Sequence, residues 1–193
     1  MKYPKLITSN TLVDYPRLDV IVESLNKTKY VPGEVAEVGV YKGGTAGLIQ
    51  LYKPTNKHLY LFDTFTGMPK ANEKLDLHKE GDFNDTSIEH IDFLVSTYSQ
   101  SYSIYKGVFP RENTEYVKHL TFSFVHLDVD IYDSIKECLE FFYPRMRPNS
   151  IILLDDYNEP NCPGAKLAAD EFAKANNIII EPTVQSQAII NIK

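Results

Sequence analysis

Two apolar segments of the chain run directly into aspartates. FVHLDVDIYDS contains Asp128 and Asp130 after an apolar run, and SIILLDDYNEP ends its own run in the pair Asp155 and Asp156. Carboxylates packed together repel one another, and unless a cation lies between them some must bind protons at neutral pH. A hard divalent ion such as Mg²⁺ removes that conflict. The pattern therefore favours a Mg²⁺ site, and helix capping is the alternative explanation for the same aspartates.

A glycine-rich turn in EVAEVGVYKGGTAG is a second candidate site. An apolar strand runs into Gly39, Gly43 and Gly44, and a helix opens at Thr45. A turn of this kind brings backbone N–H groups and a helix N-terminus close to a ligand. The dinucleotide fingerprint GxGxxG is not met because Tyr41 occupies its second glycine position, and the phosphate loop fails because no lysine follows Gly44.

Two acidic residues accompany this turn. Glu37 lies at the end of the first strand and Asp63 closes the next one, where both can accept hydrogen bonds from ribose hydroxyls. The combination suits a nucleoside without phosphates better than a nicotinamide or flavin dinucleotide. In the alternative interpretation the glycines only permit a tight turn and Asp63 caps the loop that follows.

The elements that must position these residues alternate between short apolar runs and longer amphipathic stretches. This pattern is typical of a parallel sheet with covering helices. The carboxyl ends of parallel strands meet at one edge, so Asp63 and the aspartates are expected at the edge where ligands bind. IIIEPT and QAIINI are expected to close the sheet as an antiparallel pair. Strands are predicted at 33–40, 58–63, 101–109, 121–128 and 150–156, and helices at 16–28, 45–53, 164–176 and in DSIKECLEFFYPRM, where Asp133 is a natural N-cap or first-turn acid.

The length of 193 residues predicts one domain over 1–193. Residues 64–90 interrupt the alternation with charged residues and turn formers, and we expect them to form a lid over the acceptor.

The composition excludes several classes of protein. A formal charge of −6 disfavours a nucleic-acid partner, because such binders need clustered lysine and arginine. No segment is apolar enough for a membrane span, and the start MKYPKLITSN lacks the apolar core of a signal peptide, so we expect a cytoplasmic protein. Cys138 and Cys162 have neither the spacing nor the partners for a disulfide framework or a zinc site.

Six segments together resemble the macrocin O-methyltransferase family. They are EVGVYKGGT, FDTFTGMP, GDFNDTS, HLDVDIYDS, CLEFFYPRMRPNSIILLDDY and CPGAKLAADEF. The resemblance implies an α/β fold of the class I methyltransferase (Rossmann-like) type, with a seven-stranded sheet, mostly parallel with an antiparallel C-terminal strand, and helices on both faces. It also implies a binding site for S-adenosylmethionine. The residues implied to line that site are Glu37, Gly39, Gly43, Gly44, Thr45 and Asp63.

The resemblance also implies a Mg²⁺ site beside the acceptor hydroxyl. Carried over by position, its ligands are Asp128, Asp155 and Asp156. Asp128 and Asp130 are the candidate catalytic acids, Asp130 either as a group just outside the ligand set or as the general base.

The general base is otherwise open. The catechol O-methyltransferases, which the family resembles at this edge of the sheet, place a catalytic lysine where this chain has Ile131. His78, His90 and His126 are further candidates, although a histidine at the end of a strand, as His126 is, more often has a structural role.

The sequence thus predicts an S-adenosylmethionine-dependent O-methyltransferase that acts on a hydroxyl of a small, sugar-like acceptor with Mg²⁺ assistance. A metal-independent small-molecule methyltransferase and a non-catalytic nucleoside-binding module are the alternatives. A small-molecule partner is expected, with neither nucleic acid nor membrane, and a homo-oligomer is left open.

Overall fold

Seven strands form one sheet in the computed structural model, which describes residues 2–193. The strands are β1 (Glu34–Val38), β2 (Leu59–Asp63), β3 (Tyr102–Lys106), β4 (Phe122–Leu127), β5 (Met146–Leu154), β6 (Glu181–Pro182) and β7 (Ala188–Asn191). Their order is β3-β2-β1-β4-β5-β7-β6. The first five strands pair in parallel, and β7 is antiparallel to both β5 and β6. The predicted sheet, with its antiparallel C-terminal pair, is confirmed.

Within residues 2–193, seven α-helices accompany the sheet. They are α1 (Lys5–Thr8), α2 (Tyr15–Lys27), α3 (Gly44–Tyr52), α4 (Ile88–Ser96), α5 (Thr114–Val117), α6 (Tyr132–Phe142) and α7 (Pro163–Asn176). A 3₁₀ turn, Tyr143–Arg145, joins α6 to β5, which begins at Met146, before the predicted start at residue 150. Helices α2, α3, α6 and α7 lie where the sequence predicts them, whereas α1, α4 and α5 were not predicted.

Alternating strand residues bury against two separate layers of helices. Val38 and Leu127 pack in the core that contains α6 and α7, whereas Val35 and Phe124 pack in the core that contains α1, α2, α3 and α4. Successive side chains of a strand point to opposite faces, so each strand contributes to both cores. Helices therefore cover both faces of the sheet, as predicted.

The segment 64–87 connects β2 to α4 and contains neither a helix nor a strand. Asp76 fastens it to the body of the protein: the Tyr132 N–H, in the first turn of α6, donates to Asp76 Oδ1 at 2.9 Å. The last three residues of the predicted lid, 88–90, belong to α4. The lid function itself stays a prediction.

Among residues 2–193, no helix combines the length and the apolar character that crossing a membrane requires.

Candidate active site

A cavity of about 300 Å³ opens at the carboxyl ends of the parallel strands. Gly39, Thr45 and Asp63 of the predicted cofactor site line it, and so do Asp128 and Asp156 of the predicted metal site. The two sites that the sequence indicates separately are thus parts of one cavity, and its size is that of a small-molecule pocket.

Gly39 lies where the glycine turn meets the end of β4. Its φ is +83°, and a Cβ built on it would lie 1.8 Å from the backbone oxygen of Asp128. The Asp128 N–H donates to the Val38 carbonyl at 3.0 Å, which holds the two strand ends together. Only a residue without a Cβ fits this approach.

Gly44 is required by packing against backbone, whereas Gly43 is required by its backbone conformation, with a φ of +81°. A Cβ on Gly43 would meet Ile91 Cδ1 at 2.8 Å, and one on Gly44 would meet the carbonyl oxygens of Ile7 and Asn10, both at 2.6 Å. Within the described chain, neither glycine is part of the cavity lining. Their predicted contact with the cofactor stays a prediction.

Asp63 ties the glycine turn to the end of β2. The N–H groups of Val40 and Tyr41 donate to its Oδ2 at 2.8 and 2.9 Å, and the Phe65 N–H donates to its Oδ1 at 2.8 Å. A carboxylate offers about four acceptor positions, so capacity for a ribose hydroxyl remains. Asp63 both shapes the turn and faces the cavity.

Glu37 is fully buried and pairs with His126. These residues are neighbours in the β1–β4 register, and His126 Nδ1 lies 2.8 Å from Glu37 Oε1. Burial raises the pKa of Glu37. In the described residues Glu37 is not part of the cavity wall, so its predicted contact with the cofactor stays a prediction.

Asp155 extends this buried chain of polar groups to helix α2. His126 Nε2 lies 3.3 Å from Asp155 Oδ1, to which Gln187 Nε2 donates at 2.6 Å, and Arg17 Nη1 donates to Asp155 Oδ2 at 2.5 Å. Burial favours protonation of Asp155, but the hydrogen bond from His126 and the charges of His126 and Arg17 outweigh it and lower its pKa. Asp155 is therefore an ionised carboxylate with both oxygens in hydrogen bonds.

Three further acids, which line the cavity as Asp155 does, form a cluster. Carboxylate oxygens of Asp128, Asp130 and Asp156 lie within 4.8 Å of one another. Burial, and then the charges of neighbouring acids, raise the pKa values of Asp128 and Asp156 well above the usual range. Asp156 Oδ2 is buried and has no hydrogen-bond partner among residues 2–193. A divalent cation would relieve both the repulsion and the unpaired oxygen, so these residues fit one.

This grouping differs from the ligand set that the resemblance implies. Asp156 lies with Asp128 and Asp130, whereas Asp155, which also lines the cavity, forms a second group with Asp128 and His126 and pairs with Arg17. β5 ends at Leu154 and the chain bends at Asp155 and Asp156, so the alternation of side chains along an extended strand does not by itself separate these two acids.

The capping alternative does not describe these aspartates. The N-cap residues of α6 and α7 are Ile131 and Cys162, and neither helix receives a side-chain cap from its N-cap residue. Asp133 lies in the first turn of α6, in agreement with its predicted role there.

Comparison with known proteins identifies the family. A family model described as macrocin-O-methyltransferase (TylF) matches residues 3–186. The chain belongs to this family. It is therefore an S-adenosylmethionine-dependent O-methyltransferase.

Individual relatives have low sequence identity to this chain. Demethyldecarbamoylnovobiocin O-methyltransferase of Streptomyces niveus is 24% identical over 184 residues, which cover 85% of this chain and 68% of the relative. A Streptomyces olivaceus enzyme, 8-demethyl-8-(2,3-dimethoxy-alpha-L-rhamnosyl)-tetracenomycin-C 4'-O-methyltransferase, is 24% identical over 171 residues, 80% of this chain and 65% of the relative. The solved structure of the O-methyltransferase NovP superposes with a TM-score of 0.83 at 22% identity, covering 95% of this chain and 82% of NovP, and supports the fold.

The three candidate histidines of the methyltransferase have different surroundings. His78 lines the cavity. His90, on α4, bonds to Asn10 Oδ1 at 3.0 Å and lies outside the described cavity lining. His126 is fully buried with both ring nitrogens engaged, as expected for a structural group. His78 is thus the histidine that a substrate in the cavity can reach.

Other residues of the site were not predicted from the sequence. Arg17 and the segment 10–13 line the cavity. Tyr41 and Phe83, also in its wall, have positive φ values of 48° and 62°, and the predicted Asp130 has one of 56°. Such backbone conformations are costly for these residues and concentrate at functional sites. Nothing in the local sequence marks Arg17, because its partner Asp155 lies 138 positions away.

Proposed function

We propose that this methyltransferase transfers the methyl group of S-adenosylmethionine to a hydroxyl of a small, sugar-like acceptor with the help of Mg²⁺. The observation that carries the proposal is the single cavity lined by both Gly39 and Asp63 of the turn and Asp128 and Asp156 of the acid cluster. A nucleoside held at the turn and a hydroxyl held at the acids would share that cavity. The rhamnosyl group in the name of the Streptomyces olivaceus relative supports a sugar-like acceptor.

The chain's task is alignment. The sulfonium of S-adenosylmethionine already activates the methyl carbon, so the protein must hold the acceptor oxygen in line with it and exclude water. Gly39 lets the turn pack against the end of β4 in the wall of the cavity, and Asp63 holds that turn in shape and faces the cavity, where it would bind the ribose. His78, in the cavity wall, can take the proton of the acceptor hydroxyl, and Asp130 can do so where it is not a ligand of the ion.

Asp128, Asp130 and Asp156 would hold the Mg²⁺. When bound, the ion supplies Lewis-acid chemistry that lowers the pKa of the acceptor hydroxyl. Asp155 is the third ligand that the family resemblance implies, and its bond to Arg17 favours Asp130 instead. Calorimetric titration with Mg²⁺ distinguishes these two ligand sets. If Asp128, Asp130 and Asp156 are the ligands, Asp130→Asn weakens Mg²⁺ binding more than Asp155→Asn does.

The cofactor site is tested by calorimetry with S-adenosylhomocysteine, which binds, and NAD, which does not. Because Asp63 also organises the turn, Asp63→Ala alone does not isolate a ribose contact. The sharper comparison uses S-adenosylhomocysteine and its 2',3'-dideoxy analogue. The wild type prefers the intact ribose by about 1.5–3 kcal/mol, the value of a hydrogen bond to a charged group, and Asp63→Ala loses that preference. Equal affinities in the wild type would remove Asp63 from the ribose site.

The acceptor is tested with labelled S-adenosylmethionine and a panel of nucleotide sugars, glycosides and simple phenols. Transfer to sugar hydroxyls supports the proposal, and exclusive transfer to phenols contradicts its acceptor class. Full activity in excess EDTA would identify a metal-independent methyltransferase. Tight S-adenosylhomocysteine binding without turnover on any acceptor would favour a nucleoside-binding module.

A further inference from the structure

A second group of possible metal ligands adjoins the acid cluster. His78, Asp130 and Cys162 each offer one ligand atom, and these three atoms lie within 4.8 Å of one another. All three residues line the cavity. They come from segment 64–87, from the turn after β4 and from the residue before α7, so only the folded chain brings them together.

The ligand types of this group differ from those of the acid cluster. Zn²⁺ binds histidine nitrogen, cysteine sulfur and carboxylate oxygen, whereas Mg²⁺ is held by oxygen ligands. Three protein ligands with a fourth position free for water or another small ligand are typical of accessible zinc sites. The imidazole, the thiol and the carboxylate together therefore select Zn²⁺ over Mg²⁺.

The spacing is compatible with tetrahedral coordination. The Cys162 Sγ–H donates to Asp130 Oδ1 at 3.3 Å. Ligand atoms on a tetrahedral zinc lie about 3.3–3.6 Å apart, as follows from zinc bond lengths of about 2.0–2.3 Å. The sulfur and the oxygen already have this separation. Rotation of the side chains by about 1 Å at the ligand atoms would bring the imidazole nitrogen to the same distance from both. Zinc would replace the thiol proton, which leaves to solvent.

His78 also has the outer partner that a metal-bound histidine usually has. Its Nδ1 lies 3.4 Å from Asp82 Oδ2, and the Lys79 N–H donates to the same oxygen at 2.9 Å. A carboxylate on one ring nitrogen orients the imidazole and leaves the other nitrogen for the ion. Here Nε2 is the nitrogen that remains.

We propose that His78, Asp130 and Cys162 form a Zn²⁺ site in the wall of the cavity. Bound zinc would link segment 64–87 to the start of α7 and would occupy Asp130, which the proposed Mg²⁺ cluster also uses. Zinc therefore inhibits methyl transfer. This consequence rests on the proposed function, whereas zinc binding itself does not.

Titration of the reduced protein with Co²⁺, a spectroscopic substitute for Zn²⁺, tests the site directly. The wild type should bind one equivalent and develop a thiolate-to-cobalt absorption band in the near ultraviolet. Cys162→Ser should lose the band. Cys138→Ala is the matched control and should keep it, because Cys138 is buried in the core of α6.

Calorimetry with Zn²⁺ tests the histidine and its orienting carboxylate. His78→Asn and Asp82→Asn should each weaken zinc binding at least tenfold. Asp85→Asn, in the same segment but paired with Lys42, should bind zinc like the wild type. A wild type without a thiolate band, a band that survives in Cys162→Ser, or unchanged zinc affinity in His78→Asn would overturn the site. None of these readouts depends on turnover, so the zinc site and the proposed function can fail separately.

Discussion

Replacing Gly39 by alanine tests the close approach between the glycine turn and the end of β4. Real Cβ atoms essentially never lie within 3.0 Å of a heavy atom outside their own residue and its chain neighbours, and the added Cβ would lie 1.8 Å from the Asp128 carbonyl oxygen. The strand ends must therefore separate by at least 1.2 Å, the difference between the two distances. That movement disrupts the 3.0 Å hydrogen bond from the Asp128 N–H to the Val38 carbonyl.

The expected loss of stability has two parts. A left-handed backbone costs a residue with a Cβ about 1–2 kcal/mol. Losing the buried hydrogen bond costs about 1–3 kcal/mol more. Gly39→Ala should therefore lower the free energy of unfolding by about 2–5 kcal/mol in urea denaturation.

Gly81→Ala is the matched control for this change. Its φ of +88° resembles that of Gly39, but a Cβ at this position meets nothing within 4 Å. It should cost only the backbone contribution of about 1–2 kcal/mol. If both variants lose the same stability, the contact between the turn and Asp128 is not what requires glycine at position 39.

Three further predictions concern buried polar contacts. Hydrogen bonds to Asp155 and Glu37 outweigh burial and raise the pKa of His126 to about 9, above its unfolded value of 6.5. The stabilisation that protonated His126 gives is thus complete below pH 6.5 and is lost as the pH rises through 9. The difference in free energy of unfolding between the wild type and His126→Gln, measured in urea melts, should therefore narrow by about 3 kcal/mol over that range. Arg17→Met removes the cation that pairs with Asp155 and should lower the free energy of unfolding by about 3–5 kcal/mol in the same assay. A loss below about 1 kcal/mol would contradict a stabilising Arg17–Asp155 pair. Asp76→Ala should speed amide exchange in segment 64–87 while α6 stays protected, and unchanged exchange would show that Asp76 does not fasten the segment.

Much of the site followed from strand periodicity. Asp63 and Asp128 could be placed at one edge because both end apolar runs of a parallel sheet. Helix α4 was missed although its signals are local: Ser87 caps it by accepting from the His90 N–H, and Ile91 and Leu94 are buried at helical spacing. Helix α4 follows directly after the irregular segment, and the predicted lid, 64–90, included its first three residues.

The remaining features depend on contacts between distant parts of the chain. Arg17 pairs with Asp155 through packing of α2 that no local pattern encodes, and Asp130 joins Asp128 and Asp156. The sequence offers Cys162 neither the spacing nor the partners of a zinc ligand, yet folding places it beside Asp130. Side-chain direction after the end of a strand is set by such tertiary contacts, and the sequence does not show it.

The most direct test of the proposed function is the metal dependence of methyl transfer measured beside cofactor binding. We predict that the wild type loses turnover in excess EDTA and regains it with Mg²⁺, while its affinity for S-adenosylhomocysteine stays unchanged. Asp156→Asn should bind the cofactor normally but stay inactive at any Mg²⁺ concentration, because Asp156 carries the buried, unpaired oxygen of the cluster. Full turnover in EDTA, or wild-type activity of Asp156→Asn, would contradict the proposal that the acids hold a metal ion for catalysis.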